Sequence, residues 1–148
     1  VEIYTIGHSN LSLEQFLELL KKYGIEAVAD VRSKPASIHA RWSAKKKLEQ
    51  SLKENGMDYF YFGNELGGLP FERIADFYER ERSPLFVVGI QRLIDAASKK
   101  KTAVMCSEAR PERCHRKHII GRHLVNRGWE VVHILRSGDT ESQEQTLL

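Results

Sequence analysis

Only two cysteines occur in the 148 residues, Cys106 and Cys114. So few exclude a disulfide framework and favour a reduced, cytoplasmic setting. No apolar run approaches the ~20 residues that cross a bilayer, so no membrane partner is expected. The opening VEIYTIGHSN lacks the basic start and long apolar centre of a secretory signal, so none is expected. There is no internal repeat and no low-complexity linker. One domain over residues 1–148 is the expectation, with a polar tail from about 137. Neither charge dominates: the formal net charge is +3. That is far from the basicity of a dedicated nucleic-acid binder, although it permits a phosphate-bearing partner.

What is present is globular. Hydrophobic residues make up 41% of the chain and charged residues 29%, enough to bury a sizeable core without staples. Short apolar runs predict strands at Ile3–Ile6, Ala27–Val31, Met57 onward ("MDYFYFG"), Thr102–Cys106 and Val131–Leu135. Helical stripes lie between them. Ser12 and Gln15 form a capping box ahead of Leu13, Phe16, Leu17 and Leu20. Trp42–Asn55 reads as a helix with Leu48 and Leu52 inward and Lys45, Lys46 and Lys47 outward. Phe71, Ile74, Ala75 and Tyr78 make another stripe. A further one follows Pro84, and a last helix runs from Pro111 to about Arg127. "NELGGLP" from Asn64 reads as a loop. The polar tail from Ser137 reads as a short helix or a disordered end.

Strands alternating with helices predict an α/β fold: a compact three-layer α/β/α domain with a mostly parallel sheet of about five strands. Ligands of open parallel sheets bind beyond the carboxyl ends of the strands. Those ends carry His8 and Ser9, then Asp30, Arg32 and Ser33, then Cys106, Ser107 and Glu108. Such residue types at three separate strand exits predict a site at that edge, since they are not the usual turn formers.

The stretch AVMCSEARPERCHRKH, Ala103 to His118, concentrates the chemistry. Zinc is one reading, with Cys106, Cys114, His115 and His118 as ligands. The spacing is poor, because adjacent Cys114 and His115 diverge by about 100° on a helix. No metal or other cofactor is expected. A cysteine-phosphatase loop is excluded, because the position that must be arginine is Glu112. A reactive thiol remains. A cysteine near a helix start and beside arginines has its pKa lowered from ~8.5, and Cys114, flanked by Arg113 and Arg116, suits this on local grounds. A buried inert thiol is the duller reading of Cys106. The helix start near Pro111, with Arg32, Arg110, Arg113 and Arg116, also suits an anion. Gly67 and Gly68 would let backbone approach a ligand, or form a plain turn.

The assembled motifs are "IGHS" (Ile6–Ser9), "DVRSKPAS" (Asp30–Ser37), "YFGNELGG" (ending at Gly68), "MCSEARPERCHR" (Met105–Arg116) and "EVVHI" (Glu130–Ile134). In these the chain resembles number four hundred eighty-eight of the domain-of-unknown-function families. The resemblance implies a compact α/β domain. It implies motif positions at His8, Ser9, Asp30, Arg32, Ser33, Pro35, Ser37, Gly67, Gly68, Cys106, Glu108, Cys114, His115 and Arg116. One departure is His39-Ala40-Arg41-Trp42, where the family's pattern would have a proline and a phenylalanine. The family carries no settled reaction, so the chemistry rests on the residues.

Three expectations follow. The first is an enzyme in which Cys106 or Cys114 is the nucleophile or redox thiol. Glu108 and His115 would be acid/base or orienting groups. An anionic substrate, a small molecule or nucleic acid, would be held by His8, Ser9, Asp30, Arg32, Ser37, Gly67, Gly68 and Arg116. The second is a module that binds a nucleotide or nucleic acid without turnover. The third is a structural clamp of the cysteines, Glu108 and Arg116.

Overall fold

The computed structural model describes residues 1–38, 40–67, 82–108, 110, 114 and 116–143. The elements are β1 (Glu2–Gly7), α1 (Leu13–Lys22), β2 (Ala27–Asp30), α2 (Lys45–Glu54), β3 (Asp58–Tyr61), α3 (Gly63–Leu66), α4 (Pro84–Lys99), β4 (Thr102–Cys106), α5 (Arg122–Asn126), β5 (Glu130–Ile134) and β6 (Thr140–Ser142). A 3₁₀ turn at Arg41–Ser43 precedes α2, and a π-helical stretch at Arg116–Gly121 precedes α5. The six strands lie in the order β3-β2-β4-β1-β5-β6. All pairs are parallel except β5 with β6. The expected α/β architecture is therefore present, with one antiparallel strand added at its edge.

Local chemistry accounts for the element ends. Ser12 Oγ accepts from the Gln15 N–H at 3.1 Å, and Gln15 Oε1 accepts from the Ser12 N–H at 2.9 Å. This reciprocal pair starts α1 and satisfies donors that the helix cannot. Ser83 caps α4, accepting from the Phe86 N–H at 3.2 Å, and Pro84 occupies the first turn. Strands β2 and β4 are buried along their length, as strands covered on both faces must be.

Two apolar layers sandwich the sheet. On one face Phe16 and Leu20 of α1 and Leu48 and Leu52 of α2 pack with Ile6, Val28 and Met105. On the other, Phe86, Ile90 and Leu93 of α4 and Leu124 of α5 pack with Ala29, Val104, Cys106 and Val131. The chain thus leaves β1 and β2 toward one face and leaves β4, which lies between them, toward the opposite face. That divergence opens crevices at the carboxyl ends of β1, β4 and β2.

Four segments differ from the sequence reading. The expected helix from Trp42 is split, because the chain turns at Arg41–Ser43 before α2 begins. The segment from Asn64, read as a loop, begins within the short helix α3. Arg116 opens a π-helical stretch within the last expected helix. The tail, read as helical or disordered, contributes strand β6 at Thr140–Ser142, and its residues 144–148 lie outside the described residues. Gly138, at φ 93°, makes the turn, with its N–H donating to Leu135 O at 2.9 Å. Gln143 then places Oε1 2.9 Å from Nε2 of the buried His133. The stripe at Phe71–Tyr78 lies outside the described residues. No described helix is long and apolar enough to cross a membrane.

Candidate functional site

The carboxyl ends of β1, β4 and β2 are stapled together beyond the strands. The His8 N–H donates to Cys106 O at 2.9 Å, and the Ser9 N–H to Ser107 O at 2.9 Å. On the other side of β4 the Val31 N–H donates to Met105 O at 3.0 Å. Ser9 has φ 38°, a left-handed conformation unusual for a residue with a side chain, and held here by its neighbours. Non-glycine residues in such conformations cluster at functional sites.

Asp30 and Arg32 form the buried centre of this edge, with side chains 0% and 2% exposed. Two N–H···O bonds of 2.9 Å join guanidinium to carboxylate, Nε to Oδ1 and Nη2 to Oδ2. Nη2 also donates to Ser43 O at 2.7 Å, and Nη1 to Ser43 Oγ at 3.0 Å. The remaining Nη1 hydrogen points to His8 Nε2 at 3.3 Å. All five guanidinium N–H groups are therefore engaged within the protein. In this conformation Arg32 holds three segments together and has no N–H left for a substrate.

Arginine only donates, so His8 Nε2 is the acceptor. The proton then sits on Nδ1, which donates to Ser9 O at 3.0 Å. Burial pushes the His8 pKa below its ordinary value, and the Arg32 charge pushes the same way. Its bond to Ser9 O and the Asp30 charge oppose them. Trp42 closes over the imidazole edge-on, with ring centroids 5.8 Å apart. Tyr59 donates to Asp30 Oδ2 at 2.6 Å, and Tyr61 to Arg32 O at 2.8 Å. Burial raises the pKa of both phenols, with the donor bond to Asp30 adding to the rise at Tyr59 and the Asp30 charge adding at Tyr61.

The sulfur lies on the other face. Ala29 and Val31 belong to the α4/α5 layer, so alternation turns Asp30 toward the α1/α2 layer. Cys106 belongs to the α4/α5 layer with Cys114. His8, Arg32 and Cys106 thus share one edge of the sheet, while the Asp30–Arg32 network and the thiols face opposite layers. Cys106 Sγ donates to Glu108 O at 3.4 Å. Both cysteines are reduced and buried. Cys114 lies ahead of the helical run that begins at Arg116, and its neighbours 111–113 and 115 lie outside the described residues. The Glu108 carboxylate is exposed. His115 and Gly68 lie outside the described residues, as does the Arg116 side chain. No three His, Cys, Asp or Glu side chains converge as metal ligands among the described residues.

Ser37 is half-buried and lines a groove with Arg41 and Lys47. Gly67 is buried, and an added Cβ there would collide with Ser33 Oγ and Gly63 O. Its place in the motif is thus explained by close packing of α3 on the loop after β2. Ser43, Tyr59 and Tyr61 escaped the sequence reading. The i, i+2 spacing of the two tyrosines in a strand was the available signal, since it puts both on one face.

No curated protein and no solved structure matches the chain. The family model for the domain of unknown function DUF488 matches residues 12–122, a segment holding Asp30, Arg32, Gly67, Cys106 and Cys114, and the chain belongs to that family.

Proposed function

We propose that the protein is an enzyme working at the carboxyl edge of its sheet, with Cys106 as the reactive thiol and an anionic substrate. The observation that carries this reading is the position of Cys106. It ends the central strand, between the loops that carry His8 and Arg32, where the chain diverges to the two faces. The left-handed Ser9 beside it supports the same edge. The Asp30–Arg32–Ser43 network acts as the scaffold that fixes the loop shapes. Exposed Glu108 and Arg110 meet the substrate from the loop after β4. Catalysis needs a base near the sulfur, and His115 is the proposed one.

A second reading is favoured by one observation. The Cys106 thiol donates to a carbonyl and sits in an apolar layer, which suits the protonated sulfur. On that reading the edge binds an anionic ligand without turnover. Alkylation rate against pH separates the two, measured for wild type, Cys106→Ser and Cys114→Ser. The enzyme reading expects a fast thiol that titrates clearly below ~8.5 and disappears in Cys106→Ser. Thiols that titrate at or above ~8.5, or never react in the folded protein, leave the binding reading.

A further inference from the structure

We propose that the groove between the loop after β2 and the start of α2 is a track for the sugar–phosphate backbone of single-stranded nucleic acid. This rests on the carboxyl edge being the ligand-binding end, and it names the class of the anionic ligand. The groove is open to solvent, has a volume of about 380 Å³ and is lined by Ala36, Ser37, Ile38, Arg41, Ala44 and Lys47. Three segments build it: the loop, the 3₁₀ turn and α2. The Lys45 N–H donates to Pro35 O at 2.9 Å, so the two walls are tied together.

Positive charge gathers here, opposed along α2 by a single acid within reach, Glu49. Lys34, Arg41, Lys45, Lys46 and Lys47 are all exposed. The ion pairs among the described residues are Arg32–Asp30, Arg92–Glu65 and Lys100–Asp58, and none involves these five. Glu49 lies four residues beyond Lys45 and three beyond Lys46, while Gln50 and Ser51 stand one turn beyond Lys46 and Lys47. Lysines in the first turn of α2 also oppose the helix dipole, and Ala44 supplies no side-chain cap. One carboxylate cannot pair with all three lysines, and a polyanion can. The chain as a whole carries only +3, so the basicity is local.

The shape selects the occupant. An open groove with Arg41 and Lys47 along one wall suits a strand of repeating phosphates. Ile38, 81% exposed at the groove, offers apolar contact to a sugar or base, which a bare anion would not use. Lys45 Nζ lies 4.3 Å from the Tyr61 ring centroid, and the Tyr61 hydroxyl bonds to Arg32 O. Arg41 precedes Trp42 and Ser43, which contact His8 and Arg32. A strand lying in the groove would thus reach the rim of the candidate site.

The test is fluorescence anisotropy with a labelled, mixed-sequence single-stranded oligonucleotide of about 16 nucleotides. With about four phosphate contacts, affinity should fall about 50-fold between ~50 and ~200 mM salt. The double variant Arg41→Ala/Lys47→Ala should bind about tenfold more weakly at low salt, with a shallower salt dependence. Urea unfolding of that variant should match wild type, since both residues are exposed. Lys99→Ala/Lys101→Ala, at the opposite edge of the sheet, should bind as wild type does. Absence of salt-dependent binding would overturn the proposal, as would a double variant that binds like wild type. So would sedimentation with phosphatidylserine vesicles without oligonucleotide binding, which would assign the patch to a membrane surface. Cys106→Ser keeps the two proposals apart. Retained oligonucleotide binding by this variant supports the groove whatever the thiol's reactivity, and a failed alkylation test does not touch it.

Discussion

Arg32 Nη1 donates to His8 Nε2 across 3.3 Å, joining the exits of β2 and β1 over the end of β4. A neutral imidazole is the only form that can accept this bond. Protonation would set an N–H against the guanidinium.

Stability should therefore depend on the titration of His8. Its folded pKa lies below the ordinary 6.5, chiefly through burial. The unfolded chain takes up the proton first, so the His8 contribution is present above pH 6.5 and is lost as pH falls through the folded value. Urea midpoints of wild type should drop as pH falls from 6.5 to the folded value. His8→Gln keeps an acceptor and removes the titration, so its midpoint should drop less over the same range. Parallel curves for the two proteins would contradict the assignment.

Asp30→Asn should be among the most damaging single changes. It leaves the Arg32 guanidinium buried without its counter-charge, at a cost of about 3–5 kcal/mol. Chemical denaturation measures this directly. A loss below about 1 kcal/mol, the range of exposed pairs, would mean that the pair is not buried as described.

Gly67→Ala should destabilise the fold by about 1–3 kcal/mol through overpacking. The added methyl meets Ser33 Oγ and the Gly63 carbonyl. Gly56→Ala offers the contrast, since nothing lies within 4 Å of its Cβ position. Its cost comes from the positive φ of 74° alone. A Gly67→Ala protein as stable as wild type would return this glycine to a ligand-approach role.

The parallel sheet and its working edge were legible because they depend on local pattern. Apolar runs such as Ala27–Asp30 and Thr102–Cys106 can only be strands covered on both faces, and helices between them force parallel pairing. The Ser12–Gln15 cap was likewise legible, being a reciprocal contact between residues three apart. The Asp30–Arg32 neighbours were visible as a pair, but Ser43 and Tyr59 were not. Those contacts join β2 to the turn before α2 and to the edge strand β3, and no short-range spacing encodes them. The faces were missed for a related reason. Alternation along β4 puts Met105 and Cys106 on opposite layers, so residues that share one edge separate in space. Strand β6 was missed because its exposed Thr140–Ser142 carries no apolar pattern. It is held by pairing with β5 and by the Gln143–His133 contact.

The account stands on the carboxyl edge being the ligand-binding end. A backbone amide NMR titration with adenosine monophosphate tests this most directly. The expected result is a set of saturable shifts at His8, Ser9, Ser33, Ser37, Cys106 and Ser107. The opposite edge is a fair competitor, because Lys99, Lys100 and Lys101 line a cavity of about 330 Å³ there with Val1 and Glu26. Shifts confined to that end, or no shifts at either, would contradict the account.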